Sequence, residues 1–163
     1  MQHVIYATQL DSMTEKYQDS LFYQLNSNAK YFNLIFDDFI KELNFGLNAQ
    51  EHLALQIISE KENCCQRDLA KILIKDRSNT GKIALSLEKK GLIKIELKTK
   101  NNRPVKILTL TKQGKHICDT INKKVKPMIE EIYREIPKQK IEQIKQNLKE
   151  FRQIVEKVTK TNI

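Results

Sequence analysis

The 163-residue chain has no tryptophan, three prolines, four glycines and three cysteines. So little glycine and proline excludes collagen-like, linker-rich and loop-dominated chains. Three cysteines, Cys64, Cys65 and Cys118, do not make a disulfide framework at this length. No apolar run approaches the ~18 residues of a membrane-spanning helix. The opening residues, MQHVIYATQLDSM, lack the basic and then apolar stretches of a secretory signal. Histidine is sparse as well: His3, His52 and His116 are scattered, and none stands at a metal-ligand spacing with cysteine or an acid. There is no phosphate loop, no glycine-rich nucleotide turn and no nucleophile elbow. These absences lead us to expect a cytoplasmic protein away from the membrane, without enzymatic activity, metal or cofactor.

What the chain does have is positive charge in one place. The formal net charge is +9. Between Gln66 and Lys106 there are twelve basic residues and four acids, so this quarter of the chain carries +8. Concentrated cationic charge points to a polyanionic partner, because each phosphate neutralised releases condensed counterions. A helical module that binds only other proteins would leave this window unexplained.

Apolar periodicity divides the chain. Residues 1 to about 16 show no clear period and read as an arm or a short helix. From Tyr17 to Leu43, Phe22, Leu25, Ala29, Phe32, Phe36, Phe39 and Leu43 alternate at spacings of 3 and 4, the seam of a helix lying along another helix. Gly46 is a stop signal. Asn48 and Glu51 resemble a capping box opening a second helix, with Leu53, Ile57 and Ile58 turned inward. A third helix is predicted over about 66–74, with Leu69, Ala70 and Leu73 as its apolar side. After a tight turn at Lys75–Arg77, a fourth helix runs to Lys90, capped by Asp76 or Ser78 and burying Thr80, Ile83, Ala84 and Leu87. Gly91 ends it.

The period then changes from 3.6 to 2. Lys94–Lys98 and Val105–Leu110 alternate, with turn formers from Thr99 to Pro104 between them, which reads as a hairpin with a basic tip. Thr111 caps a long helix bent at Pro127, and Pro137 starts a last helix whose apolar residues run from Ile141 to Val158. A helix-turn-helix followed by a two-stranded ribbon is a winged-helix arrangement. The first and last helices carry more apolar stripe than such a small domain covers, which calls for a second copy of the chain.

Several stretches resemble the MarR family of multiple-antibiotic-resistance regulators. Gln66-Arg67-Asp68-Leu69-Ala70-Lys71-Ile72-Leu73 is similar to its first helix-turn-helix helix. Asp76-Arg77-Ser78, with Leu87-Glu88-Lys89-Lys90-Gly91-Leu92-Ile93, is similar to its recognition helix and exit. Leu110-Thr111-Lys112-Gln113-Gly114 is similar to the junction after the wing, and Leu47–Leu55 to the helix before the motif. Two departures stand out. Asn79-Thr80-Gly81-Lys82 includes a helix-interior glycine, and Asn101-Asn102-Arg103 lacks the acid the family usually places two residues before the arginine.

The resemblance implies a mostly α-helical winged helix-turn-helix, with N- and C-terminal helices forming an all-α dimerisation domain. The expected division is 1–46 for the arm and dimerisation helix, 47–110 for the winged helix-turn-helix, and 111–163 for the C-terminal dimerisation helices. Within it, the recognition helix is about 77–90 and the wing about 94–110. It implies a homodimer that binds double-stranded DNA at a pseudo-palindromic operator, as a repressor. Arg77, Ser78, Asn79 and Lys82 would face the major groove. Lys71, Lys75 and Lys89 would hold phosphates, and Arg103 with Lys100 would bring the wing to the minor groove. The family typically responds to a small anionic or aromatic effector, for which Tyr23, Tyr31, Phe32 and Phe36 are candidate lining residues. Some relatives sense oxidants, for which Cys64, Cys65 and Cys118 are the candidates. A winged-helix architectural protein with no effector site would share the same DNA chemistry.

Overall fold

The computed structural model describes residues 16–100 and 102–160. The expected N-terminal arm and Asn101 of the wing tip lie outside that range. Among the described residues, six α-helices and a small sheet follow one another in the order α1 (Leu21–Glu42), α2 (Ala49–Glu60), β1 (Cys64–Cys65), α3 (Gln66–Leu73), α4 (Arg77–Lys89), β2 (Ile93–Lys100), β3 (Arg103–Leu110), α5 (Lys112–Arg134) and α6 (Lys138–Thr159). The chain forms two compact units that divide between Ala49 and Gln50.

In the first unit, a 3-10 turn at Tyr17–Asp19 precedes α1. Ser20 caps α1, its hydroxyl accepting the Tyr23 N–H at 3.3 Å. The chain leaves the helix through two left-handed residues, Asn44 (φ +55°) and Gly46 (φ +67°). Phe22 and Phe32, two members of the predicted seam, are 68% and 52% exposed on the single chain.

In the second unit, the sheet is antiparallel in the order β1-β3-β2. The two-residue β1 was not expected from the sequence: Cys64 pairs with Leu108 and Cys65 with Ile107. The hairpin is longer than its alternating residues implied. Thr99 pairs with Pro104 and Lys100 with Arg103, so strand pairing reaches into the six predicted turn formers. Asn102 sits at φ +57°, a conformation asparagine tolerates better than most residues.

The core of this unit gathers Leu55 from α2, Leu69 from α3, Thr80 and Leu87 from α4, Leu92 from the turn before β2, Ile93 and Leu108 from the sheet, and Ile121 from α5. Leu53 was expected to face inward and is instead 50% exposed. It lies two residues from fully buried Leu55, which turns it about 200° around the helix. Ile83 is half-buried rather than buried.

Thr111 organises the exit from the wing. Its hydroxyl accepts the Gly114 N–H at 3.0 Å, capping α5, and donates to the Gly91 carbonyl at 2.7 Å. Its own N–H donates to the Leu92 carbonyl at 3.0 Å. Helix α5 continues through Pro127. Helix α6 follows Pro137 and has no buried residue. Among the described residues, no helix is long and apolar enough to cross a membrane, and no group of His, Cys, Asp and Glu could hold a metal ion.

Candidate nucleic-acid interface

Helix α3 ends at Ile74 in the left-handed conformation (φ +52°), and the Lys75 N–H returns to the Ala70 carbonyl at 3.0 Å. That turn delivers Asp76 as the N-cap of α4. Its carboxylate accepts the Asn79 backbone N–H at 2.8 Å, and this hydrogen bond holds the Asp76 carboxyl below the usual aspartate range. The cap fixes where the first turn of α4 begins, so Arg77, Ser78 and Asn79 all emerge exposed.

Four of the predicted reading residues therefore share the start of one helix: Arg77, Ser78, Asn79 and, one turn on, exposed Lys82. Asn79 is not wholly free to read a base, because its side-chain amide also donates to the Asp76 carboxylate. Ser78, Lys82, Leu85 and Lys89 recur at spacings of 4, 3 and 4 on an exposed face. Leu85, 56% exposed, was not singled out in the sequence. An aliphatic group on such a face suits contact with a thymine methyl. Lys71 is exposed on α3, and Lys75, in the turn, is half-buried. Lys100 closes β2 opposite Arg103; its side chain lies outside the described part of the residue.

Gly81 has a physical reason in the protein itself. A Cβ there would meet the Gln66 side-chain nitrogen at 3.0 Å. That nitrogen donates to the Arg77 carbonyl at 3.3 Å, tying the start of α3 to the start of α4. The glycine faces the neighbouring helix start.

A cleft of about 660 Å³ opens where α3, α4 and β3 begin, lined by Cys65, Gln66, Arg67, Arg77, Arg103, Pro104, Val105 and Lys106. It brings Arg77 of α4 and Arg103 of β3 to one concavity. Sequence reasoning counted Arg67 and Lys106 only as charge. Among the described residues, Arg67, Lys71, Arg77, Lys82, Arg103 and Lys106 form no ion pair. The acid nearest in sequence to Arg67, Asp68, pairs with Lys61 at 3.0 Å, which holds its carboxyl down.

One basic residue of the cationic window is committed elsewhere. The Lys90 ammonium lies 2.7 Å from both carboxylate oxygens of Glu51, and the Ser86 hydroxyl donates to the same carboxylate at 2.6 Å. Glu51 is buried in α2, so this group ties α2 to the C-terminal end of α4. The signal for it in the sequence was faint: an acid within the apolar residues of the second helix.

The other candidates separate. Tyr23, Tyr31, Phe32 and Phe36 all lie on α1. Phe32 and Phe36 stack with centroids 6.0 Å apart, Tyr23 meets Tyr17 edge-on, and Tyr31 is 66% exposed. Cys64 and Cys118 are buried, and burial pushes both thiols up, the opposite of what a sensor thiol requires. Cys118 sits against Gln56 at 3.4 Å, beside Asn122. Cys65 is half-exposed at the cleft. A thiol titration of the native chain is expected to modify Cys65 alone, with Cys64 and Cys118 reacting only after unfolding. Rapid modification of all three would contradict these positions.

Residues 47–105 match the model of the MarR family, which bears out the resemblance read from the sequence. Solved structures share the fold over most of their length. A MarR protein from Peptoclostridium difficile is 22% identical, with TM-score 0.73, over 87% of this chain and 92% of its own. The S. aureus MepR–DNA complex is 18% identical, with TM-score 0.73, over 83% and 98%. CouR from Rhodococcus jostii RHA1 bound to p-coumaroyl-CoA is 19% identical, with TM-score 0.72, over 84% and 94%. No curated protein matches this sequence.

Proposed function

We propose, from the premise of a MarR-family segment at residues 47–105 in a MarR-like winged-helix fold, that this chain is a sequence-specific, double-stranded-DNA-binding transcriptional repressor acting as a homodimer. The observation that carries the reading is the convergence of Arg77 and Arg103, from recognition helix and wing, on one cleft with no acid in its lining. The start of α4 reads base edges in the major groove. Arg77 and Lys82 reach guanine or phosphate, Ser78 and the remaining amide groups of Asn79 reach neighbouring bases, and Lys71, Lys75 and Lys89 hold the backbone. Arg103 and Lys100 bring the wing to the minor groove.

Pairing of two chains is supported by the apolar side chains that a single chain leaves in water. On α1 these include Leu21, Phe22 and Phe32; on α6 they include Ile144, Leu148 and Val158. Two copies would set the recognition helices about one duplex turn apart, which matches a pseudo-palindromic site. Release by a small ligand is the regulatory half of the proposal. The CouR structure holds p-coumaroyl-CoA, and α1 offers the Phe32–Phe36 stack as an aromatic surface.

The test is binding-site selection followed by anisotropy on the selected duplex. Wild type is expected to return a two-fold-related site and to bind it as a dimer by ultracentrifugation. Arg103→Ala is expected to weaken binding by about 1–3 kcal/mol with the dimer intact. An unchanged affinity removes the wing from the mechanism, and a monomer indifferent to duplex DNA at low salt overturns the proposal.

A further inference from the structure

The cleft at the start of α3, α4 and β3 holds more positive charge than a duplex backbone needs there. Arg67, Arg77, Arg103 and Lys106 line it, none is in an ion pair among the described residues, and no acid lines it. A diester phosphate brings one negative charge, whereas a terminal phosphate brings about −1.5 to −2. Four cations in one concavity therefore match two or more linked phosphates better than one point on a smooth duplex. Guanidinium forks suit phosphate oxygens in pairs.

The backbone adds to this. The N-terminus of α3 opens at the cleft, with Cys65 as N-cap and no hydrogen bond from its side chain to the cap. Strand β1 pairs β3 only as far as Ile107, so, among the described residues, 103–106 of β3 have no strand partner on that side. The concavity lies where the sheet edge stops. Its volume, about 660 Å³, falls within the range of small-molecule sites.

We propose that this cleft binds a free polyanion with two or more linked phosphates, of the oligophosphate or nucleoside polyphosphate class, and that the bound anion competes with duplex DNA for Arg77 and Arg103. The competition rests on the DNA-binding reading above; the binding itself does not.

Inorganic tripolyphosphate is the probe. Calorimetric titration of the full chain at fixed ionic strength is expected to give one ligand per chain. Arg67→Gln combined with Lys106→Gln is expected to weaken it at least tenfold. Both residues lie outside the proposed base-reading set, so the double variant is expected to keep duplex affinity within about threefold and an unchanged melting temperature. Tripolyphosphate is expected to release labelled duplex where potassium chloride of equal ionic strength does not. No binding heat, or binding that the double variant leaves unchanged, overturns the site. Binding without release of duplex overturns the competition. A chain that takes tripolyphosphate in the cleft but never binds duplex overturns the DNA reading and leaves the anion site standing.

Discussion

Gly114→Ala is expected to cost more than about 4 kcal/mol, beyond the usual range for a single substitution. A Cβ at Gly114 would stand 1.9 Å from the carbonyl oxygen of Leu92 and 2.8 Å from its carbonyl carbon. Both obstacles are backbone, so no side-chain rotation relieves the collision. Leu92 cannot yield cheaply, being buried at 2% exposure and leading directly into β2. Its carbonyl also receives the Thr111 N–H, and Thr111 holds Gly91. Relief would have to pull the first turn of α5 off the start of the wing and break that junction. Alanine gains only about 1 kcal/mol of helix propensity over glycine, too little to offset the loss. Gly81→Ala is the control, since its nearest obstacle is the mobile end of the Gln66 side chain at 3.0 Å, and it is expected to stay within about 1 kcal/mol of wild type. Urea unfolding followed by circular dichroism measures both. Equal stability of Gly114→Ala and wild type would mean that the junction does not close as described.

The contrast between these two glycines shows what the sequence could convey. Signals that act over a few residues were legible. Asp76 caps α4, Gly91 (φ +71°) ends it and Thr111 opens α5 as their local patterns implied. The change of period from 3.6 to 2 placed the wing, because side-chain alternation is a local property of a strand. Contacts across the chain were not legible. Nothing within a few residues of Cys64 says that it pairs with Leu108 or that it is buried. The Thr99–Pro104 stretch looked like a loop by composition, yet its ends pair as strands because a two-residue connection suffices. Leu53 shows the limit of reading helix faces from hydrophobicity alone. The exposed polar start of α4 was legible because a capped helix start and a run of short polar and basic residues coincide there. The cleft was not, because Arg67, Arg77 and Lys106 come from three separated segments.

Lys90→Ala is expected to destabilise the protein by about 2–3 kcal/mol, below the range for a fully buried ion pair because the Lys90 side chain is 35% exposed. Glu51→Gln is expected to cost less, about 1–2 kcal/mol. The asymmetry follows from exposure. The Glu51 side chain is 5% exposed and that of Lys90 35%. When the lysine is lost, the carboxylate stays in the interior without its ammonium partner, the Ser86 hydroxyl still donating to it at 2.6 Å, and the desolvation of the charge is no longer offset by an opposite charge. When Glu51 is neutralised, the ammonium has a short path to water and the amide still accepts from Ser86. The two groups join residues 39 apart in sequence, from α2 to the C-terminal end of α4, so the cost appears in global unfolding. Replacing both by apolar residues, Glu51→Leu with Lys90→Met, is expected to recover most of the loss, because the desolvation of two charges is then avoided. Parallel urea titrations of the three variants decide it. If Lys90→Ala and Glu51→Gln cost the same few tenths of a kcal/mol, Glu51 is solvated in solution and α4 is held at its far end by packing alone.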